Sequence, residues 1–246
     1  MFVEYGKLST KLYEITKPVG FSIDGNIEYY YDHLKKCQGP ILEAGVGTGR
    51  MMIPFIQKGL DVEGVDLSNE MLDQCRVNMN QAGVRGVLYQ GDLTKLDLKK
   101  EYEAIMMPTG SFCLLPRVII KDVLNSFYNH LKNEGQLMID IELPMWFQSD
   151  EVSVTDYPIS DNEGLLFTST AQEMNWHEQK VSYIHRYELI EKGVVQETEI
   201  SNFTLYWYGI EEFKELLHQT GFSNITYTVG YEKNNQASLF TFFATK

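Results

Sequence analysis

Ten residues constrain the fold of this chain more than any others: Ile41-Leu42-Glu43-Ala44-Gly45-Val46-Gly47-Thr48-Gly49-Arg50, an apolar run that ends in an acid and opens into glycines at alternate positions. The run reads as a buried strand followed by a tight turn and a helix start, where free backbone amides favour polar or anionic ligand groups. A second strand-like segment, Leu60 to Ser68, ends its apolar run at Asp66. An acid about 20 residues beyond the glycine turn can accept hydrogen bonds from both hydroxyls of a ribose.

Glycine spacing separates two ligand classes. A dinucleotide site wants a third glycine three residues after the second, so that a pyrophosphate can lie on the helix N-terminus. Counted from Gly47, that position is Arg50, and the third glycine is Gly49. The tighter turn follows Glu43, a carboxylate placed to meet a cationic ligand rather than a diphosphate.

Two further segments follow in order, Gln90-Gly91-Asp92-Leu93 and Ile105-Met106-Met107-Pro108-Thr109-Gly110-Ser111-Phe112. With them the chain resembles the class I S-adenosylmethionine-dependent methyltransferases, over residues 25 to 143 and more loosely 205 to 246. The resemblance implies an α/β fold: a doubly wound, seven-stranded, mostly parallel sheet of Rossmann-like type, with an antiparallel β cap inserted after the fifth strand. It implies S-adenosyl-L-methionine as cofactor. Glu43 would meet the methionine part, and Ala44, Gly45 and Gly47 would allow its close approach. Arg50 would face the cofactor's carboxylate and Asp66 the ribose. Leu67 and Met71 would flank the adenine, Gly91, Asp92 and Leu93 would read its edge, and Met107 and Pro108 would border the sulfonium. Plainer readings stand beside these: Asp92 as a turn former and Met71 as part of a helix's apolar stripe.

Periodicity gives the order of elements. Residues 25 to 37 read as a helix, Ile41 to Ala44 as a strand, and Arg50 to Lys58 as a helix that Pro54 should kink or start late. Ser68 can cap a helix whose apolar face is Met71, Leu72, Cys75 and Met79, ending at Gly83. After a strand at 103 to 107, Ile119, Val123, Phe127 and Leu131 repeat at every fourth position, a helical stripe, before a strand from Gln136 to Ile141. Beyond Pro144 the pattern turns to strands alone, at 165 to 173, 179 to 190 and 194 to 206, with a turn at Glu191-Lys192-Gly193. A helix bearing Ile210, Phe213, Leu216 and Leu217 and strands at 223 to 229 and 238 to 244 complete the sheet. The organisation expected is a lid over 1–38, a cofactor-binding core over 39–143, a cap over 144–206 and a return to the core over 207–246.

At 246 residues the chain suits one domain with an insertion. A net charge of -13 opposes broad contact with nucleic acid or an anionic membrane, since phosphate binding needs clustered Lys and Arg. Cys37, Cys75 and Cys113 lack metal-type spacing, and no metal site is expected. Met1 to Lys7 has no leader-like apolar core, which with the absence of a span-length apolar run leads to an expected place in the cytoplasm.

The expected reaction is methyl transfer to nitrogen or oxygen of a small molecule. Tyr13 lies in a helical stretch, 5 to 15, that resembles the family's lid helix, where a tyrosine reaches cofactor or acceptor. His185 shares a strand face with Val181, Tyr183, Tyr187 and Leu189, and can be a base or a packing residue. Arg186, on the other face, can bind an acidic acceptor or point to solvent. Trp146, Trp176 and Trp207 can line an acceptor pocket or anchor a core. The many acids of the cap region tilt the acceptor toward amines. Rival readings are a noncatalytic S-adenosylmethionine-binding or sensing protein and an NAD-dependent oxidoreductase. A homodimer is compatible with everything above.

Overall fold

A computed structural model describes residues 5–246, so the leader reading at Met1 to Lys7 falls partly outside the described residues. In chain order the elements are α1 (Lys7–Thr16), α2 (Asn26–Leu34), β1 (Ile41–Ala44), α3 (Met52–Gln57), β2 (Val62–Asp66), α4 (Asn69–Ala82), β3 (Leu88–Gln90), β4 (Tyr102–Met107), α5 (Ile120–His130) and β5 (Leu131–Glu142). Then follow β6 (Val152–Ser160), β7 (Glu163–Asn175), β8 (Lys180–Glu191), β9 (Val194–Tyr206), α6 (Ile210–Thr220), β10 (Ser223–Val229) and β11 (Leu239–Thr245). Contacts divide the chain into two compact units.

The larger unit comprises residues 19–143 and 207–246. Its seven-stranded sheet has the order β10-β11-β5-β4-β1-β2-β3, with β11 antiparallel to both β10 and β5 and the remaining pairs parallel. Strand β1 lies between β2 and β4, so successive connections leave it in opposite directions. That switch point opens a crevice at the carboxyl ends of the strands, where open α/β sheets bind ligands. All of β1 is buried, as expected of a central strand covered on both faces.

Local signals explain the helices here. The Ser68 hydroxyl accepts from the Met71 amide at 3.1 Å and caps α4, whose buried face includes Met71, Leu72, Cys75 and Met79. Pro54 is accommodated by the later start: α3 begins at Met52, which leaves the proline in the first turn, where its missing amide costs nothing. The stripe from Ile119 to Leu131 overshoots the helix at both ends. Ile119 belongs to a preceding 3-10 turn, and Leu131 opens β5, paired with Tyr102.

Among described residues, the smaller unit holds 5–18 and 144–206. The division therefore runs through the expected 1–38 lid, after Pro18. The sheet here is antiparallel, in the order β6-β7-β8-β9, one strand more than the sequence pattern suggests. Strand β6 escapes that pattern because it is an exposed edge strand containing Pro158, which tolerates polar residues on both sides. Helix α1 packs Leu8 and Leu12 against Leu165 and Tyr187 on one face of this sheet. Its first amides, from Leu8 and Ser9, donate to the Glu199 carboxylate at 2.7 and 3.2 Å, satisfying groups a helix N-terminus leaves unpaired. Among the described residues no helix is long and apolar enough to cross a membrane.

Candidate functional site

The turn after β1 is held from the next strand. Amides of Gly45 and Val46 donate to the Val65 carbonyl at 2.8 and 3.0 Å, and the Gly47 amide donates to Asp66 Oδ2 at 2.8 Å. The other Asp66 oxygen accepts from the Ser68 amide at 2.9 Å. One carboxylate thus ties the glycine turn to the N-terminus of α4. Burial pushes the Asp66 pKa up, while the amides of Ser68 and Gly47 oppose that shift. Gly47 has φ 54, in the left-handed region. Gly49, at φ 83, is crowded as well: a Cβ there would lie 2.7 Å from Cys75 Sγ and 3.0 Å from Ile53 Cδ1, so the turn can pack against α3 and α4 only as glycine.

Glu43 sits in β1 and is buried, with Oε2 lacking any hydrogen-bond partner in the protein. Desolvation pushes its pKa up to about 8; Arg50 pulls it down, and the nearby Asp66 charge adds to the rise. A buried carboxyl with an unpartnered oxygen costs free energy that a ligand's ammonium group would recover. This unpartnered acceptor oxygen fits the cationic methionine part of the implied cofactor.

Strand neighbours bring the expected residues together. Ala44 pairs with Val65 and Glu43 with Met106, so the ends of β1, β2 and β4 lie side by side. Met107 and Pro108 are buried at the end of β4, and a Cβ on Gly45 would lie 3.8 Å from Met107 Cε. Met71 is buried with its sulfur 4.0 Å from a Cβ built on Gly47, which makes it both a helix-stripe residue and a neighbour of the turn. Leu67 is 71% exposed just past β2, an apolar side chain held out at the rim. The Gly91 amide donates to the Asp66 carbonyl at 3.0 Å, bringing the third segment beside the second. Asp92 is exposed, caps the 3-10 turn of Leu93–Lys95 through the Thr94 amide, and has its pKa lowered by that bond.

Arg50 has partners within the protein. Its guanidinium is buried, donating to the Phe21 carbonyl at 2.7 Å, Asn26 Oδ1 at 3.3 Å and Thr109 Oγ1 at 2.8 Å. It joins the segment before α2 to the loop after β4. That loop is strained, because Thr109 is a β-branched residue at φ 60. Its amide is held by Asp140 Oδ2 at 2.6 Å.

Asp140 itself was not singled out by sequence reasoning, and it is the hub of the network. Fully buried in β5, it accepts from Tyr30 and Thr241 on Oδ1, at 2.8 and 2.7 Å, and from Tyr231 on Oδ2 at 2.7 Å. Burial raises its pKa, against the opposing pull of those donors. The one available signal was a lone acid inside the apolar run Leu137-Met138-Ile139-Asp140-Ile141. Its partners come from four other places in the chain and carry no pattern of their own.

Tyr13 and His185, the candidates from the sequence for a role toward the acceptor, belong to the smaller unit. Tyr13, on α1, is half-buried with Lys17 Nζ 5.1 Å from its ring centre. His185 is packed among aromatic rings, stacked on Phe203 at 4.7 Å and edge-on to Phe167 at 5.1 Å. Desolvation lowers its pKa to about 4, which leaves it neutral and a weak base at pH 7. Arg186 pairs with Glu188 on the opposite face, at 2.6 Å. Trp146 and Trp176 are exposed, and Trp207 is buried in the larger unit. None of the three cysteines is in a disulfide, and the described residues include no cluster able to hold a metal ion.

Residues 41–135 match the family model of the methyltransferase domain. A putative methyltransferase from a Geobacillus species is 24% identical over 217 residues, covering 84% of this chain and 83% of that protein. An S-adenosylmethionine-dependent methyltransferase structure from Clostridium acetobutylicum superposes with a TM-score of 0.77 at 16% identity, over 96% of each chain. A sugar N-methyltransferase from a Streptoalloteichus species gives 0.78 at 15% identity, over 100% of this chain and 95% of that one. At such identities the structural likeness is one of fold.

Proposed function

We propose that this chain is a class I S-adenosylmethionine-dependent methyltransferase, as the match of residues 41–135 to the methyltransferase domain supports, and that its methyl acceptor is a small molecule, methylated at an amine nitrogen. The cofactor supplies an already activated methyl group, so the protein's task is holding, orientation and exclusion of water, and orientation alone can be worth roughly 7–11 kcal/mol. In this reading Glu43 meets the cofactor's ammonium, Asp66 its ribose hydroxyls, and Leu67, Met71, Gly91, Asp92 and Leu93 its adenine. Ala44, Gly45 and Gly47 give it room, and Met107 and Pro108 border the sulfur. Arg50 and Asp140 act at one remove, by fixing the Thr109 loop that follows Pro108.

The observation that carries the acceptor class is the content of the insert. Between β5 and α6 the chain adds a four-stranded sheet with Phe167, Tyr183, His185, Tyr187 and Phe203 gathered on one face. Aromatic faces attract cationic amines, and desolvation beside them lowers an amine's pKa toward its neutral, nucleophilic form. His185, held neutral, adds no competing charge. The sugar N-methyltransferase of like fold acts on the same class of nucleophile, which supports nitrogen over oxygen.

Calorimetric titration with S-adenosylhomocysteine, and with NADH in parallel, tests the cofactor half on wild type and Asp66→Ala. The expected result is micromolar binding of the homocysteine compound, about -8 kcal/mol, which collapses in the variant. Tight NADH binding would overturn it. A panel of small amines, amino sugars and matched alcohols, followed by mass spectrometry with S-adenosylmethionine present, tests the acceptor. Methylated amines are expected; products from alcohols alone would sink the nitrogen reading, and cofactor binding with no product would favour a sensing role.

A further inference from the structure

The turn between β10 and β11 takes a backbone form that ordinary connections avoid. Gly230, Tyr231 and Glu232 have φ of 54, 51 and 61, three consecutive residues in the left-handed region, two of them with side chains. L-residues visit that region singly and at a cost, so such a run persists only where its surroundings hold it. At Gly230 only glycine fits, since a Cβ there would lie 2.8 Å from that of Ala237. Tyr231 is buried, its ring centre 5.3 Å from that of Tyr29 and 6.4 Å from that of Tyr30 on α2, and its hydroxyl donates to Asp140 Oδ2 at 2.7 Å.

That oxygen also accepts from the Thr109 amide at 2.6 Å, and Thr109, at φ 60, is itself left-handed. Asp140 Oδ2 therefore joins two strained turns, one after β4 and one after β10. Either turn released alone would relax toward ordinary φ; joined at one oxygen, each prevents the other from doing so. Burial and the Asp140 charge push the Tyr231 pKa up, which keeps the phenol protonated and a donor. The same turn reaches Thr109 from a second side. Lys233 Nζ lies 1.7 Å from where a Cβ on Gly25 would stand, covering the residue before Asn26, and Asn26 Nδ2 donates to Thr109 Oγ1 at 3.1 Å.

We propose that Tyr231 is a positioning residue for methyl transfer: through Asp140 Oδ2 it fixes the backbone at Pro108 and Thr109. The inference rests on the reading above, in which Pro108 borders the cofactor's sulfur. Transfer needs nucleophile, methyl carbon and sulfur in line, and a displaced wall beside the sulfur lowers the rate without loosening the hold on distant parts of the cofactor. Asp66, which would hold the ribose, takes its bonds from Gly47 and Ser68 and is independent of this clamp. Loss of the Tyr231 hydroxyl should therefore separate turnover from cofactor affinity.

Tyr231→Phe in the full chain removes that hydroxyl and keeps the ring. Tyr30→Phe is its match, a buried phenol lost from the same carboxylate, but from Oδ1 rather than from the oxygen that Thr109 shares. Both are compared with wild type for S-adenosylhomocysteine affinity by calorimetry, for urea midpoint, and for kcat and KM with S-adenosylmethionine and the amine giving most product in the panel above. Tyr231→Phe is expected to lower kcat ~10–100-fold with the homocysteine compound's Kd and the amine's KM within ~3-fold of wild type. Tyr30→Phe is expected to lower the urea midpoint comparably and kcat far less. An unchanged kcat in Tyr231→Phe overturns the inference, as does a fall that Tyr30→Phe matches or that cofactor affinity shares, either of which would make Tyr231 structural only. In wild type the Thr109 amide should exchange as slowly as those of the β5 core, and a fast one overturns the clamp whether or not the variants fold. A wild type that methylates no amine overturns the functional reading and this inference with it, whereas turnover equal in wild type and Tyr231→Phe overturns this inference alone.

Discussion

Glu43 is the residue whose chemistry is most testable. Its folded pKa of about 8 lies above the ordinary 4.5, so between these values the folded protein binds more protons than the unfolded one. The stability this contributes is full below about pH 4.5 and is lost as pH rises toward 8. A cationic ligand prefers the ionised carboxylate. S-adenosylhomocysteine affinity should therefore rise with pH up to about 8, by at most ~10-fold per unit, with uptake of proton by buffer detectable as a buffer-dependent calorimetric enthalpy. Glu43→Gln should flatten that profile; an unchanged slope would move the titrating group elsewhere. Asp140 carries a different expectation. Asp140→Asn replaces one acceptor oxygen with a donor facing hydroxyls and an amide that now have none, and should cost about 3–5 kcal/mol in urea unfolding. Sequence made Glu43 visible because its neighbours are consecutive, and hid Asp140 because its partners are not.

Among the elements, those closed by local signals were legible and those closed from afar were not. Helix α4 is of the first kind: Ser68→Ala removes its cap and should cost about 1 kcal/mol, read as a lower urea midpoint at unchanged slope. Helix α1 is of the second kind. No capping side chain lies in its own sequence, and Glu199, 191 residues away from Leu8, takes its first amides. Glu199→Ala should loosen α1 by about 0.5–2 kcal/mol and raise amide hydrogen exchange over Leu8 to Leu12 while α4 exchanges as before. Equal change in both helices would mean a general loss of stability. Strand β6 and the early start of β5 belong with α1, since pairing across the sheet decided them against weak local preference.

At the scale of the whole molecule, the net charge of -13 is a self-repulsion spread over the surface. Raising salt from about 0.01 to about 0.15 M shortens the screening length from about 30 to about 8 Å and should raise the melting temperature by a few degrees. Differential scanning fluorimetry in a chloride series checks this, and a falling melting point would mean that attractive pairs such as Lys100–Glu63 dominate. Read alone, the chain determined the order of alternating strands and helices, the glycine turn and its acids, and the family they resemble. Each of those rests on periodicity or turn chemistry acting within a few residues. Only the tertiary structure decided that Arg50 braces the Thr109 loop, that Asp140 gathers four donors and that the division falls after Pro18. Such choices are made by packing and desolvation among distant segments, where a buried carboxylate or guanidinium is stable only once every partner has arrived.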